Sequence, residues 1–256
     1  MAPPLDPAHR SEFGTVASWS AEALASMDEV SQVAGASRGS ASPSALAWLA
    51  ECLGLGHGRP LLDVGGGLGG PAAWAVEHYD VVATVVEPMV EACAGARSLF
   101  GHAGVVATAS ALPFPDRSFP TAWMLGVLDT VPCPAEVLRD VRRVLDDDGR
   151  LGLLAYVACG QLDRDALPSG NAFQTSEQLE KDLRAAGFAL IDRTDAAALP
   201  AAPVDWRVRQ ERLERAVAER HGADRRHEEA EEQSRRMGSL LSSGAVGTVL
   251  LHLVCV

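Results

Sequence analysis

Apolar positions follow two alternating rhythms through most of the chain. Short β-branched or leucine-rich runs predict strands at 61 to 64, 81 to 87, 104 to 108, 121 to 127, 150 to 157 and 188 to 191. Between them, apolar residues at helical spacing predict helices at 69 to 79, 89 to 99, 135 to 145 and 176 to 186. Strands alternating with helices imply a parallel sheet covered on both faces. Ahead of this pattern, Ser42 and Pro43 offer a side-chain cap and a proline at the first helical position. Leu46, Leu49 and Leu53 give that helix an apolar face, and Gly54 suits its end. Residues 1 to 41 are polar, broken by Pro and Gly, with a helix expected from Ser20 to Val33.

The rhythm changes after the sixth strand. Residues 204 to 237 are highly charged and helical in character, and Trp206, Val208, Leu213, Val217 and Met237 are their main apolar members. Side chains so sparse cannot form a core of their own. The segment must pack on the body, over a pocket, or on a second copy in a homodimer. Residues 247 to 256 then read as a buried terminal strand. The expected organisation is one domain over 1–256: an N-terminal helical cap (1–59), a core (60–195), a helical insertion (196–243) and the closing strand (244–256).

Composition narrows the classes of partner. The formal net charge is -12, the sequence pI is about 5.0, and no block of Lys or Arg could track a phosphate backbone, so nucleic acid is not expected. No window approaches the length of apolar residues that a membrane span needs, and Met1 to Asp6 lack a basic start followed by an apolar stretch. Those features predict a soluble cytoplasmic chain. Cys52, Cys93, Cys133, Cys159 and Cys255 are far apart, and the histidines show no ligand spacing, so the thiols read as reduced and no metal is assigned. Lys181 is the only lysine and alanine is abundant, a bias of GC-rich bacterial coding sequences.

The candidate chemistry centres on Leu61-Leu62-Asp63-Val64-Gly65-Gly66-Gly67-Leu68-Gly69-Gly70, a strand that runs through a glycine turn into a helix. Glycine lets a backbone adopt conformations closed to other residues and approach a ligand closely. Gly65-x-Gly67-x-x-Gly70 also fits the dinucleotide fingerprint, whose confirmation is an acid ending the second strand. Glu87 is that acid, placed to accept bonds from ribose hydroxyls. The pair supports a nucleoside-bearing cofactor and leaves NAD(P) and S-adenosylmethionine both open.

Four segments separate the two. They are 62–70, Glu87-Pro88-Met89, Ala111-Leu112-Pro113-Phe114-Pro115-Asp116-Arg117-Ser118-Phe119, and Val137 to Leu145 leading to Gly149-Arg150-Leu151. In order and spacing they resemble the class I S-adenosylmethionine-dependent methyltransferases, the bacterial small-molecule branch in particular. The resemblance implies an α/β, Rossmann-like methyltransferase fold: a seven-stranded, mostly parallel sheet with an antiparallel last strand and helices on both faces. It implies S-adenosylmethionine as cofactor and a small-molecule acceptor of specialised metabolism. Asp63, Gly65, Gly66 and Gly67 would then hold the amino-acid end, Glu87 the ribose, and Pro88 and Met89 the adenine face. Thr108, Ala109, Ser110 and Ala111 would meet the adenine edge, with Leu125 at the end of the fourth strand.

Two positions depart from the family pattern. Thr108 stands where the family commonly has an acid, and Thr130 replaces a histidine in Leu128-Asp129-Thr130-Val131. Asp129 and Tyr156, near the carboxyl ends of strands four and five, are the candidate catalytic groups. Trp19 and Trp206 are candidate acceptor contacts, and the N-terminal helix and the insertion are expected to form a lid. A protein that keeps the cofactor but catalyses a cyclisation, and an NAD(P)-dependent oxidoreductase, are the competing readings.

Overall fold

A computed structural model describes residues 7–37 and 41–256, with side chains from residue 13 onward. The stretch read above for a targeting signal lies outside the described residues. The sheet runs β1 (Pro60–Val64), β2 (Val82–Glu87), β3 (Ala103–Val106), β4 (Phe119–Leu125), β5 (Leu145–Ala158), β6 (Gln174–Thr175), β7 (Phe188–Asp195) and β8 (Val246–Cys255). Their order is β3-β2-β1-β4-β5-β8-β7, and β6 pairs separately with β5. Strands β1 to β6 pair in parallel, whereas β8 inserts antiparallel between β5 and β7. The two-residue β6 is an eighth strand that the hydrophobic pattern does not reveal, because so short a pairing leaves no period to read.

Side chains alternate across the sheet as the strand period requires. Leu61, Trp123, Leu125, Leu154 and Leu250 face one layer, with Leu46, Leu49 and Leu53 of α3 (Pro43–Leu53) and Trp74 of α4 (Gly70–Tyr79). Leu62, Met124, Leu151, Leu153 and Leu251 face the other, with Leu138 and Val141 of α6 (Pro134–Val144) and Leu179 of α7 (Ser176–Ala185). Both faces of β1 and β4 are thus dry. The fifth helix, α5 (Val90–Phe100), covers β2 and β3.

The N-terminal segment is two helices rather than the single one expected from Ser20 to Val33. The first, α1 (Pro7–Leu24), stops where Ser26 Oγ donates to the Ala23 carbonyl at 2.8 Å. The second, α2 (Glu29–Ala36), starts at Asp28, whose carboxylate accepts from Ser31 N at 3.0 Å and Ser31 Oγ at 2.9 Å. Asp28 sits at the junction as a cap, a preference that outweighs continuing the helix. The insertion divides likewise. Asp224 caps α9 (Arg225–Ser242) by accepting from Arg226 N at 2.9 Å, which ends the preceding α8 (Val204–His221).

Neither pair of helices stands free. Leu213 and Val217 of α8 are buried with Ala23, Leu24 and Ala36. Trp19 stacks on His221 with ring centroids 4.2 Å apart, and the Arg226 guanidinium lies 5.3 Å from the Trp19 ring. The cap in turn sits on the glycine loop: a Cβ at Gly70 would lie 2.4 Å from the Ala36 carbonyl carbon, an approach only glycine permits. Of the insertion's main apolar side chains, Trp206, Leu213 and Val217 therefore find partners within the chain, whereas Val208 is 54% exposed.

Leu213 is 1% exposed at the centre of this contact. Leu213→Ala should cost about 2 to 5 kcal/mol, the range for truncating a buried leucine. Urea unfolding measures it; a change under about 0.5 kcal/mol would mean that α8 is a solvated helix.

Candidate cofactor and acceptor site

The glycine loop begins where β1 passes level with β2 and β4, between strands that diverge in chain order. This is the switch point at which open α/β sheets bind ligands. Gly65 N and Gly66 N both donate to the Val86 carbonyl, at 2.8 and 3.2 Å, which fastens the loop to the end of β2. Glu87, 8% exposed, accepts from Gly67 N at 3.0 Å through Oε2 and from Met89 N at 3.1 Å through Oε1. Burial raises its proton affinity, and those two N–H groups oppose the rise. Gly67 has φ +54, and a Cβ there would meet nothing within 4 Å. The loop thus turns a bare backbone toward open space beside a carboxylate that has lone pairs left to accept hydroxyl donors.

Asp63 lies beneath the same loop. It is 1% exposed, and a Cβ on Gly66 would approach its Oδ2 to 2.6 Å. That oxygen has no hydrogen-bond partner among the described residues. Burial pushes the carboxyl up to about 7; Trp123, whose indole N–H closes no hydrogen bond of good geometry, pulls it down, and the Glu87 charge pushes it up. Two acids flanking one loop suit a cationic ligand and disfavour a pyrophosphate.

The adenine-side candidates sit one strand further out. The third strand ends at Val106, earlier than its apolar run suggests, so Thr108 to Ala111 form a turn beyond it, closed by Ala111 N donating to the Thr108 carbonyl at 3.0 Å. Thr108 Oγ1 and Ser110 Oγ are 3.5 Å apart. The run after the turn is clamped from α6. Arg143 donates to the Leu112 carbonyl at 2.8 Å, the Phe114 carbonyl at 2.7 Å and Asp140 at 2.8 Å, while Asp140 accepts from Leu112 N. Asp140 and Arg143 both belong to the segment Val137 to Leu145. Their spacing on one helix face, i and i+3, was the readable sign of a joint role.

The other half of the edge holds the catalytic candidates. A 3₁₀ turn, Leu128–Thr130, follows β4 and carries Asp129, 5% exposed. Its Oδ2 accepts from Asn171 Nδ2 at 2.6 Å, and its Oδ1 is buried without a partner among the described residues. Burial lifts this carboxyl to about 6, against the pull of its own backbone N–H and of Asn171. Tyr156, partly buried near the end of β5, is pushed up to about 12 by burial and then by the Asp129 charge. Thr130 turns away, its Oγ1 donating to the Val127 carbonyl at 2.8 Å. Asn171 was not among the sequence candidates and carries no motif; it also lines a cleft of about 970 Å³ between the loop after β5 and α9.

Asp63, Gly65, Gly66, Gly67, Glu87, Pro88, Met89 and Thr108 to Ala111 therefore gather at the carboxyl edge of β1, β2 and β3, with Asp129 and Tyr156 beside them at β4 and β5. Three other candidates, Leu125 at the end of β4 among them, have side chains packed against other parts of the chain. Leu125 and Trp206 are buried in the layer beneath α3 and α4, and Trp19 joins α1 to His221 and Arg226.

A methyltransferase-domain family model matches residues 62–153, the stretch from β1 into β5. Methyltransferase GfsG of Streptomyces halstedii is 29% identical over 165 residues, 58% of this chain and 59% of the relative. The 27-O-demethylrifamycin SV methyltransferase of Amycolatopsis mediterranei is 37% identical over 116 residues, 41% of each chain. Over this stretch the chain is similar to S-adenosylmethionine-dependent methyltransferases. It spans only part of the length of those curated relatives. Among solved structures, the [4+2]-cyclase SpnF is 26% identical with a TM-score of 0.65, covering 82% of this chain and 80% of that one.

The family's cofactor fits what the edge offers: an acid with free lone pairs, an unshielded glycine backbone, and negative charge toward a sulfonium and an ammonium. Glu87→Ala should weaken S-adenosylmethionine binding by about 2 to 3 kcal/mol, the loss of one or two hydrogen bonds to a charged group. Calorimetry on the folded variant decides it, and unchanged affinity would remove Glu87 from the site.

The buried Asp63 makes a separate claim about pH. Its folded carboxyl holds a proton up to about 7, against an ordinary 3.8, so its stabilising contribution is complete below 3.8 and disappears as pH rises through about 7. The natural chain should lose more stability than Asp63→Asn between about pH 4 and about pH 8, by about 4 kcal/mol, the worth of a shift of about three pH units. Equal pH dependence of the two urea midpoints would place the Asp63 titration elsewhere.

Proposed function

We propose that the chain transfers the methyl group of S-adenosylmethionine to a small organic acceptor at the β4–β5 half of the sheet edge. The observation that carries this reading is the division of the edge itself. Cofactor-type groups stand on one side of the switch point, and a buried carboxylate with an unpartnered oxygen stands on the other. When bound, the cofactor supplies a methyl carbon activated by sulfonium charge; the protein's task is alignment, exclusion of water and, for a hydroxyl acceptor, removal of a proton. Alignment alone is worth roughly 7 to 11 kcal/mol in well-oriented systems.

Asp129 has the properties of the base. A carboxyl lifted to about 6 is ionised at neutral pH yet more basic than an exposed one, the compromise that general-base catalysis favours. Tyr156, held near 12, keeps its proton and serves as a hydrogen-bond donor that orients the acceptor oxygen. The cap α1–α2 and the insertion α8–α9 act together as the lid, joined where Trp19 stacks on His221 beneath Arg226, with Trp206 supporting the layer below. An acceptor from specialised metabolism is supported by the names of the relatives above, and none of the observations requires nucleic acid, membrane or metal.

A second reading has its own support. The likeness to a [4+2]-cyclase spans most of both chains. Thr108 and Thr130 both depart from the methyltransferase pattern, which is consistent with a site that retains the cofactor while performing a cyclisation. Incubation with candidate acceptors followed by mass spectrometry separates the two. Methylated product with stoichiometric S-adenosylhomocysteine supports transfer; a rearranged product with intact cofactor supports cyclisation.

For a hydroxyl acceptor, Asp129→Asn should lower turnover by about 10²- to 10⁴-fold, the usual worth of a positioned base, with cofactor affinity unchanged. In the natural chain, turnover should rise with pH through about 6, as Asp129 loses its proton. Full activity in the variant would exclude proton transfer to Asp129.

A further inference from the structure

The loop after β5 reaches Asp129 from one end and α9 from the other. Asp129 is held twice by adjacent residues of this strap: Asn171 Nδ2 donates to its Oδ2 at 2.6 Å, and Ala172 N donates to its carbonyl at 2.7 Å. Two residues before Asn171, Ser169 N donates to Gln233 Oε1 of α9 at 2.7 Å. Arg236, one turn along α9, donates to the carbonyls of Asp165 at 3.2 Å and Leu167 at 3.1 Å, and is itself braced by Glu232 at 2.9 Å. Only Gly170, with φ +77, separates the residue moored on α9 from the residue that bonds the carboxylate. Downstream, β6 pins the strap to Val157 and Ala158 of β5, so slack cannot be taken up on that side.

We propose that Asn171 is a positioning residue for the Asp129 carboxylate, and that the strap 163–172, moored on α9 by Gln233 and Arg236, transmits the docking of the helical insertion to that carboxylate. This rests on the methyl-transfer reading only for the meaning of Asp129 as a base. The physical content is a choice of rotamer. A carboxylate with one oxygen saturated by Asn171 has the other fixed and free to take a proton from a bound acceptor. Without that donor the group can swing, and it binds its own proton more tightly because a partner of its charged form is gone. Among the described residues, the groups that face Asp129 are Tyr156 from β5, and Asn171 and the Ala172 N–H from the strap. When α9 is displaced, Ser169 and Leu167 lose their anchors and Asn171 loses its fixed distance to Asp129. Acceptor enclosure and base orientation are thereby one event, and water entering an open site meets a carboxylate that is not yet aimed.

The test follows Asp129 itself, by NMR of the full chain carrying ¹³C-labelled aspartate with S-adenosylmethionine present. Asn171→Ala should raise the Asp129 titration midpoint by about one pH unit, about tenfold in proton affinity, and Asn171→Gln should restore part of it. The double variant Gln233→Ala and Arg236→Ala, at two half-buried positions of α9, should shift the same midpoint in the same direction by a smaller amount in a chain whose circular dichroism shows it folded. Where turnover is measurable, its acidic limb should move with the midpoint. An unchanged midpoint in Asn171→Ala overturns the positioning role. A midpoint that ignores the α9 variant, with Asn171→Ala behaving as expected, overturns the coupling. Failure to find any methylated acceptor would refute the transfer reading alone, because the titration does not depend on turnover.

Discussion

A buried carboxylate sets the geometry of the cofactor side. Glu87 ends β2 in the sheet interior, where an ionised group is expensive unless it is satisfied. Its two backbone partners come from different elements: Gly67 belongs to the loop after β1, and Met89 opens α5. One side chain thus ties the first crossover to the second, and the loop keeps its open face because its N–H groups are drawn inward at Gly65, Gly66 and Gly67. Loop, strand end and helix start cannot move apart without stranding that charge. Asp63 reinforces the constraint from below, since its carboxylate fills the space a side chain on Gly66 would need.

The covering elements depend on this loop in turn. The cap touches it through Ala36 and Ser37 at Gly70, α8 packs on the cap through Leu213 and Val217, and α9 holds the strap that reaches Asp129. Contacts therefore run from the cofactor loop outward through two pairs of helices and back to the acceptor side. Such a closed circuit suits a lid, whose opening must be affordable; most of its links are single hydrogen bonds or small apolar patches, the weaker parts of a structure. The sheet, by contrast, is fastened by long ladders and two dry layers.

The core was legible because its signals are local. β-branched runs ending in acid or glycine, helical spacing between them, and a terminal apolar run after a charged insertion are enough to order the sheet, antiparallel closing strand included. What escaped reading was settled by capping or by distant partners. Asp28 and Asp224 break helices that periodicity alone would continue, since a cap competes with propagation at a single residue. Thr108 falls outside β3 because pairing with β2 ends sooner than the apolar run does. The same holds at the site. Glu87 and the glycines announce themselves by position, whereas Asn171 matters through a residue 42 positions away, and no short spacing encodes that. Trp206 and Leu125 show the converse: a large apolar side chain near a site in sequence is drawn into the core unless something else holds it out.

The division of charge across the switch point also explains how one scaffold accommodates two chemistries. Glu87, joined by Asp63 as that carboxyl ionises through about pH 7, places negative potential beneath the glycine loop, which would stabilise a bound sulfonium whether or not its methyl group is transferred. Asp129 owes its upward shift to burial, opposed by its own N–H and by Asn171. Under the proposed function, altering the acceptor side would leave cofactor retention intact, and transfer and cyclisation would differ by what is presented to Asp129 and Tyr156 and by whether a nucleophile lines up with the methyl carbon. Fold and cofactor can be inherited together while the reaction changes at a handful of side chains around β4, β5 and the strap.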